Sequence, residues 1–224
     1  MWESFMHLLF PRICLTCGEV LMKEENVMCL RCYLSLPSFK YPVEQVFVRQ
    51  GLEGRIPFNS VYSWLRFNKG GMVQELLHNI KYGGDEHPAR WAGRKLAEKW
   101  QLQNDRDKFD VMVPVPLHPV KRELRGYNQS EEIAMGFVEE AQVDIYPNAL
   151  LRKVHSESNT KSNRWERSQK MKEVFVANPK VNLKGKRVAI VDDVLTTGAT
   201  IEACSRILLE ESVKEIHVIT LARA

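Results

Sequence analysis

Apolar positions along this 224-residue chain switch repeatedly between two periods. Val188, Ala189, Ile190 and Val191 form a short continuous apolar run, as expected of a strand buried on both faces of a parallel sheet. Ile201, Cys204 and Leu208 then recur at helical spacing, predicting a strand, loop and helix in succession. Val73, Leu76, Leu77 and Ile80 predict another helix, stopped by Gly83 and Gly84, with Lys81 at its negative end. A helix is expected over about 89–100. Ser130, Ile133, Ala134, Phe137, Val138 and Ala141 mark one face of a further helix. Strand-like composition occurs at 61–67, at 110–116 before a proline-bounded loop, and around 150–154, 173–177 and 216–221. Strands alternating with helices predict an α/β fold, a mostly parallel sheet flanked by helices with ligands at the strands' carboxyl ends.

Composition narrows the class without naming a function. No stretch approaches the roughly 20 apolar residues of a membrane span. Residues 1–10 are apolar but lack a basic n-region and a cleavage site. They are expected to form a packed helix, and the chain to be cytoplasmic, peripheral to the inner membrane face only through partners. A formal charge of +4 does not by itself imply nucleic acid. Its clustering says more: Lys161, Arg164, Arg167, Lys170 and Lys172 face only Glu166, and Lys121, Arg122 and Arg125 surround Glu123. Such segments suit a polyphosphate, a nucleic-acid backbone or simple solubility.

Four of the five cysteines fall in two Cys-x2-Cys pairs, Cys14 with Cys17 and Cys29 with Cys32, eleven residues apart. Two such knuckles complete a tetrahedral thiolate shell, which selects Zn²⁺ and leaves no open position for catalysis. Disulfides are the alternative, disfavoured in a cytoplasmic chain. The residues between the pairs are polar and too few to build a core, so metal would hold this unit together. Cys204 lies on the apolar face of its helix and is expected in the core.

The chemistry concentrates after the 188–191 run. Asp192 and Asp193 are expected at the strand's carboxyl end, followed by Thr196, Thr197, Gly198, Ala199 and Thr200 leading into a helix. A loop of small and hydroxyl residues before a helix offers N–H groups, hydroxyls and a positive dipole end to a phosphate. The acids would repel that phosphate, but they suit a sugar's hydroxyls or a divalent cation. A phosphorylated sugar is the natural ligand; an ordinary capped strand–turn–helix is the alternative.

This string resembles the phosphoribosyl-pyrophosphate (PRPP) signature of the type I phosphoribosyltransferases. The resemblance implies that Asp192 and Asp193 hold the ribose hydroxyls while Thr196, Thr197, Gly198, Ala199 and Thr200 wrap the 5′-phosphate. With the cysteine pairs, Phe10-Pro11-Arg12-Ile13-Cys14, Lys81-Tyr82-Gly83-Gly84-Asp85, the Val113–Pro119 run, Arg125-Gly126-Tyr127-Asn128-Gln129-Ser130 and Leu221-Ala222-Arg223, nearly the whole chain resembles the ComF family. Those proteins join a four-cysteine zinc unit to a phosphoribosyltransferase-like domain and are linked to DNA uptake in natural transformation. The likeness implies a type I phosphoribosyltransferase-like fold with a small N-terminal zinc ribbon. It divides the chain into 1–36 (helix and zinc ribbon), 37–85 (connector and hood) and 86–224 (α/β domain).

By the same likeness Leu117, His118 and Arg125 belong to the pyrophosphate loop. Asn128 and Gln129 either reach phosphate or cap the next helix. Segment 155–172 corresponds to a closing catalytic loop, in which Lys161 and Arg164 are catalytic candidates beside Thr160 and Arg167. Asn159, Asn163 and Lys170 depart from the family pattern there, and a solvated loop is the alternative. Mg²⁺ is expected with PRPP. Three readings compete: a transferase with an unnamed acceptor, a PRPP sensor without turnover, and an adaptor. The adaptor would bind single-stranded DNA, a DNA-uptake helicase or another competence protein, with Trp165 a candidate for stacking on bases.

Overall fold

The computed structural model describes residues 11–102, 108–153 and 174–224. The readings made for 1–10 and for the 155–172 loop, with Thr160, Lys161, Arg164, Trp165 and Arg167, lie outside the described residues. The described chain runs α1 (Leu30–Leu34), α2 (Gln45–Arg49), β1 (Ser60–Arg66), α3 (Met72–Tyr82), α4 (His87–Gln101), β2 (Val111–Pro114), α5 (Pro119–Arg125) and α6 (Gln129–Ala141). It continues β3 (Asp144–Ile145), β4 (Leu150–Arg152), β5 (Phe175–Ala177), β6 (Arg187–Leu195), α7 (Ala199–Glu210) and β7 (Glu215–Arg223).

Five strands form one sheet in the order β1-β7-β6-β2-β3, parallel at every pairing. Strand β1 comes from the stretch read as connector and hood, so the sheet draws on both segments. The pleat sends alternate residues of β6 into two cores. Ala189 and Val191 join Tyr62, Trp64, Met112 and Ile219 beneath α3, α4 and α6. Val188 and Ile190 join Val111, Val113, Val218, Val48 of α2 and Ile201, Cys204 and Leu208 of α7. Cys204 is fully buried in that second core, as its spacing predicts.

Helices α4 and α6 meet through glycine. A Cβ at Gly93 would lie 2.0 Å from Ile133 O, and one at Gly136 equally close to Arg90 O. Strands β4 and β5 stand apart from the main sheet as an antiparallel pair against α7. They bracket the undescribed segment 154–173. The cysteine unit does not stand alone either. Leu21, Val27, Met28 and Leu36 are buried in the first core, and Tyr33 packs its ring 6.1 Å from Trp64 and 6.0 Å from Trp91. Apolar packing therefore shares the task that the sequence assigns to metal alone. Among the described residues no helix is long and apolar enough to cross a membrane.

Candidate functional site

The apolar run of β6 continues further than its hydrophobicity implies. The strand keeps its ladder with β7 through the acids: Asp192 pairs with Thr220, and Val194 with Ala222. Asp192 and Asp193 therefore sit within the strand, where they were expected just beyond it. Backbone pairing on the β7 side outweighs the low strand propensity of aspartate. On the other side β2 ends at Pro114, opposite Val191, so a crevice opens beside the carboxylates.

Each acid has its own partners. Asp192 Oδ1 accepts hydrogen bonds from Ser130 Oγ and from the Asp193 N–H, both at 2.9 Å. Asp193 is 4% exposed, and its Oδ2 lies 2.7 Å from Lys81 Nζ at the end of α3. Burial, and then the adjacent Asp193 charge, push the Asp192 carboxyl up to about 7. Cys204 lies beneath; burial, and then the charge of Asp192, raise its thiol, which keeps it an inert core residue.

Residues 196–198 turn directly from this strand into α7. Arg223 Nη1 donates to Leu195 O at 3.1 Å and Thr196 O at 2.8 Å, while Arg55 Nη1 donates to Thr197 O at 2.5 Å. Arg55 also binds Gly51 O and Glu202 of α7. With its carbonyls held by two guanidiniums, the loop leaves Thr196 and Thr197 exposed and Ala199 and Thr200 half-buried. Gly198 caps α7 at φ +77°, and a Cβ there would come within 2.3 Å of Leu52 Cδ2. No side chain caps this helix end; the closest approach is Thr197 Oγ1, 3.5 Å from the Ala199 N–H. The N–H groups of this first turn and the helix dipole are chemically suited to an anion.

The stretch after Pro116 holds a helix, α5, where a loop was expected. His118 caps it, its Nδ1 accepting from Val120 N–H at 3.3 Å, and Leu117 is half-buried before it. Arg125 ends α5, with its guanidinium 4.9 Å from the Tyr82 ring centre and donating to Gln129 Oε1 at 2.8 Å. Asn128 caps α6 through Ser130 N–H and donates to Val115 O, so of its two expected roles it fills the capping one. Tyr127 Oη donates to Ile80 O at 2.6 Å, tying this turn to α3.

From sequence Lys81 was read as a helix-end cation and Ser130 as part of a helix face, and Arg55 and Arg223 were given no role. Lys81, Ser130 and Arg223 stand inside motifs that carried the resemblance, which is the signal that could have found them. Arg55 has none. It lies 142 residues from its carbonyl partner, in a segment of unremarkable composition.

At the other end, the ligand atoms of Cys14, Cys17, Cys29 and Cys32 all lie within 4.8 Å of one another. Cys17 Sγ and Cys29 Sγ are 3.8 Å apart, about the edge of a tetrahedron with Zn–S bonds of ~2.3 Å. None is in a disulfide. Gly18 at φ +73° makes the turn after the first pair, and Cys29 precedes the first turn of α1. Burial works against the Cys14 thiolate, but backbone donors from Cys29, Cys17 and Thr16 outweigh it and bring the thiol down to about 6. Burial, and then hydrogen bonds with the other three thiols, raise Cys32. One ready thiolate among crowded sulfurs fits a set that could bind zinc.

Residues 148–224, which carry the two acids and the 196–200 loop, match the family described as "Phosphoribosyl transferase domain". Competence protein F of Haemophilus influenzae is 34% identical over 116 residues, 51% of this chain and 51% of that protein. The aligned part thus spans about half the length of that relative. Competence protein ComFC of Bacillus subtilis is 26% identical over 94% of this chain and 83% of that protein. Among solved structures, the glutamine PRPP amidotransferase of B. subtilis is similar at TM-score 0.45 and 23% identity, over 63% of this chain and 30% of that one.

Proposed function

Since the chain belongs to the ComF family of phosphoribosyltransferase-like proteins, we propose that it binds PRPP at the end of β6 and transfers its phosphoribosyl group to an acceptor. The observation that carries this reading is the continuity of the site. One strand delivers two carboxylates, and three residues later its loop opens an uncapped helix end. A ribose 5-phosphate carries the neutral hydroxyls and the dianion that such a pair of neighbouring groups would take.

In this reading Asp192 and Asp193 take hydrogen bonds from the ribose 2′- and 3′-hydroxyls. The N–H groups and hydroxyls of Thr196, Thr197, Gly198, Ala199 and Thr200 hold the 5′-phosphate. Leu117 and His118 bring main-chain groups to the pyrophosphate and Arg125 brings charge. An acceptor lone pair forms the new bond to C1′ as the C1′–O bond breaks, its electron pair leaving on pyrophosphate. Mg²⁺ would neutralise charge on that leaving group. Lys161 and Arg164 would contribute cations from the segment outside the described residues, and closure over the site would exclude water. Lys81 occupies the Asp193 oxygen that a ribose hydroxyl needs, so binding would displace it or share it.

We assign zinc to the four cysteines, in a structural role. The names of the relatives support a part in competence, and on that ground single-stranded DNA and a DNA-uptake helicase or other competence protein are the partners to test.

Calorimetry with Mg²⁺ and PRPP tests the core of the reading. Changing Asp192 and Asp193 together to Ala should weaken binding by about 3 kcal/mol, because hydroxyl partners in a dry site are lost. A double variant that binds like the parent would remove the proposal. Pyrophosphate release with candidate acceptors then separates turnover from sensing.

A further inference from the structure

A cavity of about 550 Å³ opens beside the edge strand β3, between the 146–148 turn that follows it and the 180–186 stretch that leads into β6. Lys180 and Lys186 are its charged walls, and none of the lining residues is acidic. Neither lysine has an ion pair among the described residues. Asp110 is close enough to feel Lys186, but Arg187 takes both its oxygens, through the guanidinium at 2.6 and 3.2 Å and the main-chain N–H at 2.8 Å. The stretch carrying the lysines is held in shape beforehand. Asn178 and Asn182 side chains accept from the Lys180 and Lys184 N–H groups, both at 3.0 Å, and Leu183 anchors the stretch in the second core.

The facing wall is aromatic and apolar. Lys186 Nζ stands 5.6 Å from the centre of the half-buried Tyr146 ring, and Ile145, Pro147 and Val181 border it. Tyr146 and Asn148 are bonded through their main chains, which leaves the phenol and the amide open to a ligand.

These features select a ligand class. Cations without counter-ions call for an anion. A ring bordered by apolar side chains calls for a flat partner, which gains from stacking and from covered area. A hydroxyl and two amides beside that ring suit the mixed donors and acceptors along the edge of a nucleobase. Inorganic phosphate would use the lysines and gain nothing from Tyr146, whereas a neutral ring would leave the lysines unpaired. The volume accommodates a base with its ribose phosphate. Lys186 immediately precedes β6, roughly 20 Å of strand before Asp192, so a ligand held by it leaves the carboxyl end of the sheet free.

We propose that this cavity is a nucleotide site separate from the one at the end of β6. It takes a nucleoside 5′-phosphate, with the base against Tyr146, the phosphate on Lys180 and Lys186, and the Asn148 and Asn182 amides at the base edge. The proposal does not depend on the phosphoribosyl-transfer reading.

The test uses the full-length protein, with AMP, GMP and UMP set against their nucleosides and against inorganic phosphate. Each is titrated calorimetrically into the parent saturated with Mg²⁺ and PRPP. The titrations are repeated on the Asp192→Ala, Asp193→Ala double variant without PRPP, because a nucleotide could enter the β6 end through its own ribose phosphate. At least one nucleotide should bind 10-fold more tightly than its nucleoside and than phosphate in both settings. Tyr146→Ala, and Lys180→Gln with Lys186→Gln, should each weaken it 10-fold while leaving PRPP affinity within twofold; arginine at both lysine positions should retain it. Nucleotide binding that PRPP abolishes, or that the glutamine pair leaves unchanged, overturns the proposal by placing the ligand elsewhere. Equal affinity for nucleotide and phosphate overturns it as well, leaving a surface that attracts any anion. So does an oligonucleotide that binds through these lysines where no mononucleotide does. A parent that binds the nucleotide here but fails to bind PRPP removes the transfer reading and leaves this site standing.

Discussion

Four sulfurs lie within 4.8 Å of one another at one end of the molecule, and two adjacent carboxylates share the end of β6 at another. Both places crowd groups that repel once ionised, and the fold treats them differently. The carboxylates have Lys81 at 2.7 Å, the Ser130 hydroxyl and a main-chain N–H already in position. The thiols have one another, a few main-chain donors and the exposed Arg31, which also pairs with Glu19. Protein groups therefore offset part of the acid pair's repulsion before any ligand arrives, whereas the cysteine set is suited to a cation from outside. A ligand at β6 would be a guest, whereas a metal at the cysteines would be part of the folded structure.

Removing the proposed metal should expose this contrast most strongly. Chelation is expected to release one zinc and remove on the order of 10 kcal/mol of binding from the cysteine unit. Hydrogen exchange should then rise across 12–35 and change little in β2, β6 and β7; exchange rising equally in the sheet would show that the two regions are one cooperative unit.

Gly198→Ala attacks the other region through its backbone. The new methyl must displace Leu52 at a positive φ, for a cost of about 2–3 kcal/mol in chemical denaturation. An unchanged midpoint would mean that the loop relaxes freely.

A smaller effect tests how well the acids are balanced. The Asp192 carboxyl is raised to about 7 in the fold, against an ordinary value near 4. Between those values the folded state keeps a proton that the unfolded chain has lost, so this group's contribution to stability falls as pH rises through the window. Asp192→Asn should flatten that slope and add on the order of 2 kcal/mol at pH 8, allowing for screening at its half-exposed edge. A variant as pH-dependent as the parent would place the strain elsewhere.

Arg55→Ala should have the smallest consequence. It removes a clamp on Thr197 O and an ion pair with Glu202, costing about 1 kcal/mol and lowering PRPP affinity severalfold. Rescue of affinity by Arg55→Lys without rescue of stability would separate loop positioning from packing.

Local signals carried much of this molecule. The continuous run Val188–Val191 and the spacing of Ile201, Cys204 and Leu208 were enough to place a buried strand before a buried helix, because burial imposes those periods directly. The cysteine spacing gave the cluster for a similar reason: a short turn brings each pair together. Other features depended on partners far along the chain. The extension of β6 through Asp192 depends on β7, and the short helix α5 depends on a cap from His118 that resembles any polar loop residue. Lys81 could be read as an ordinary helix-end cation, since only the fold brings Asp193 beside it. Ser130 reaches across 62 residues, and Arg55 across 142.

The docking of Tyr33 between two tryptophans has an optical consequence. Trp64 and Trp91 belong to the sheet and α4, yet both contact the α1 turn that begins at Cys29. Trp100 packs instead on Phe109 and Phe137, away from that turn. A change in the cysteine cluster should therefore alter the emission of indoles that belong to the sheet and α4. A stopped-flow instrument could follow loading and loss of the ion with no label attached, using Trp100 as the steady background.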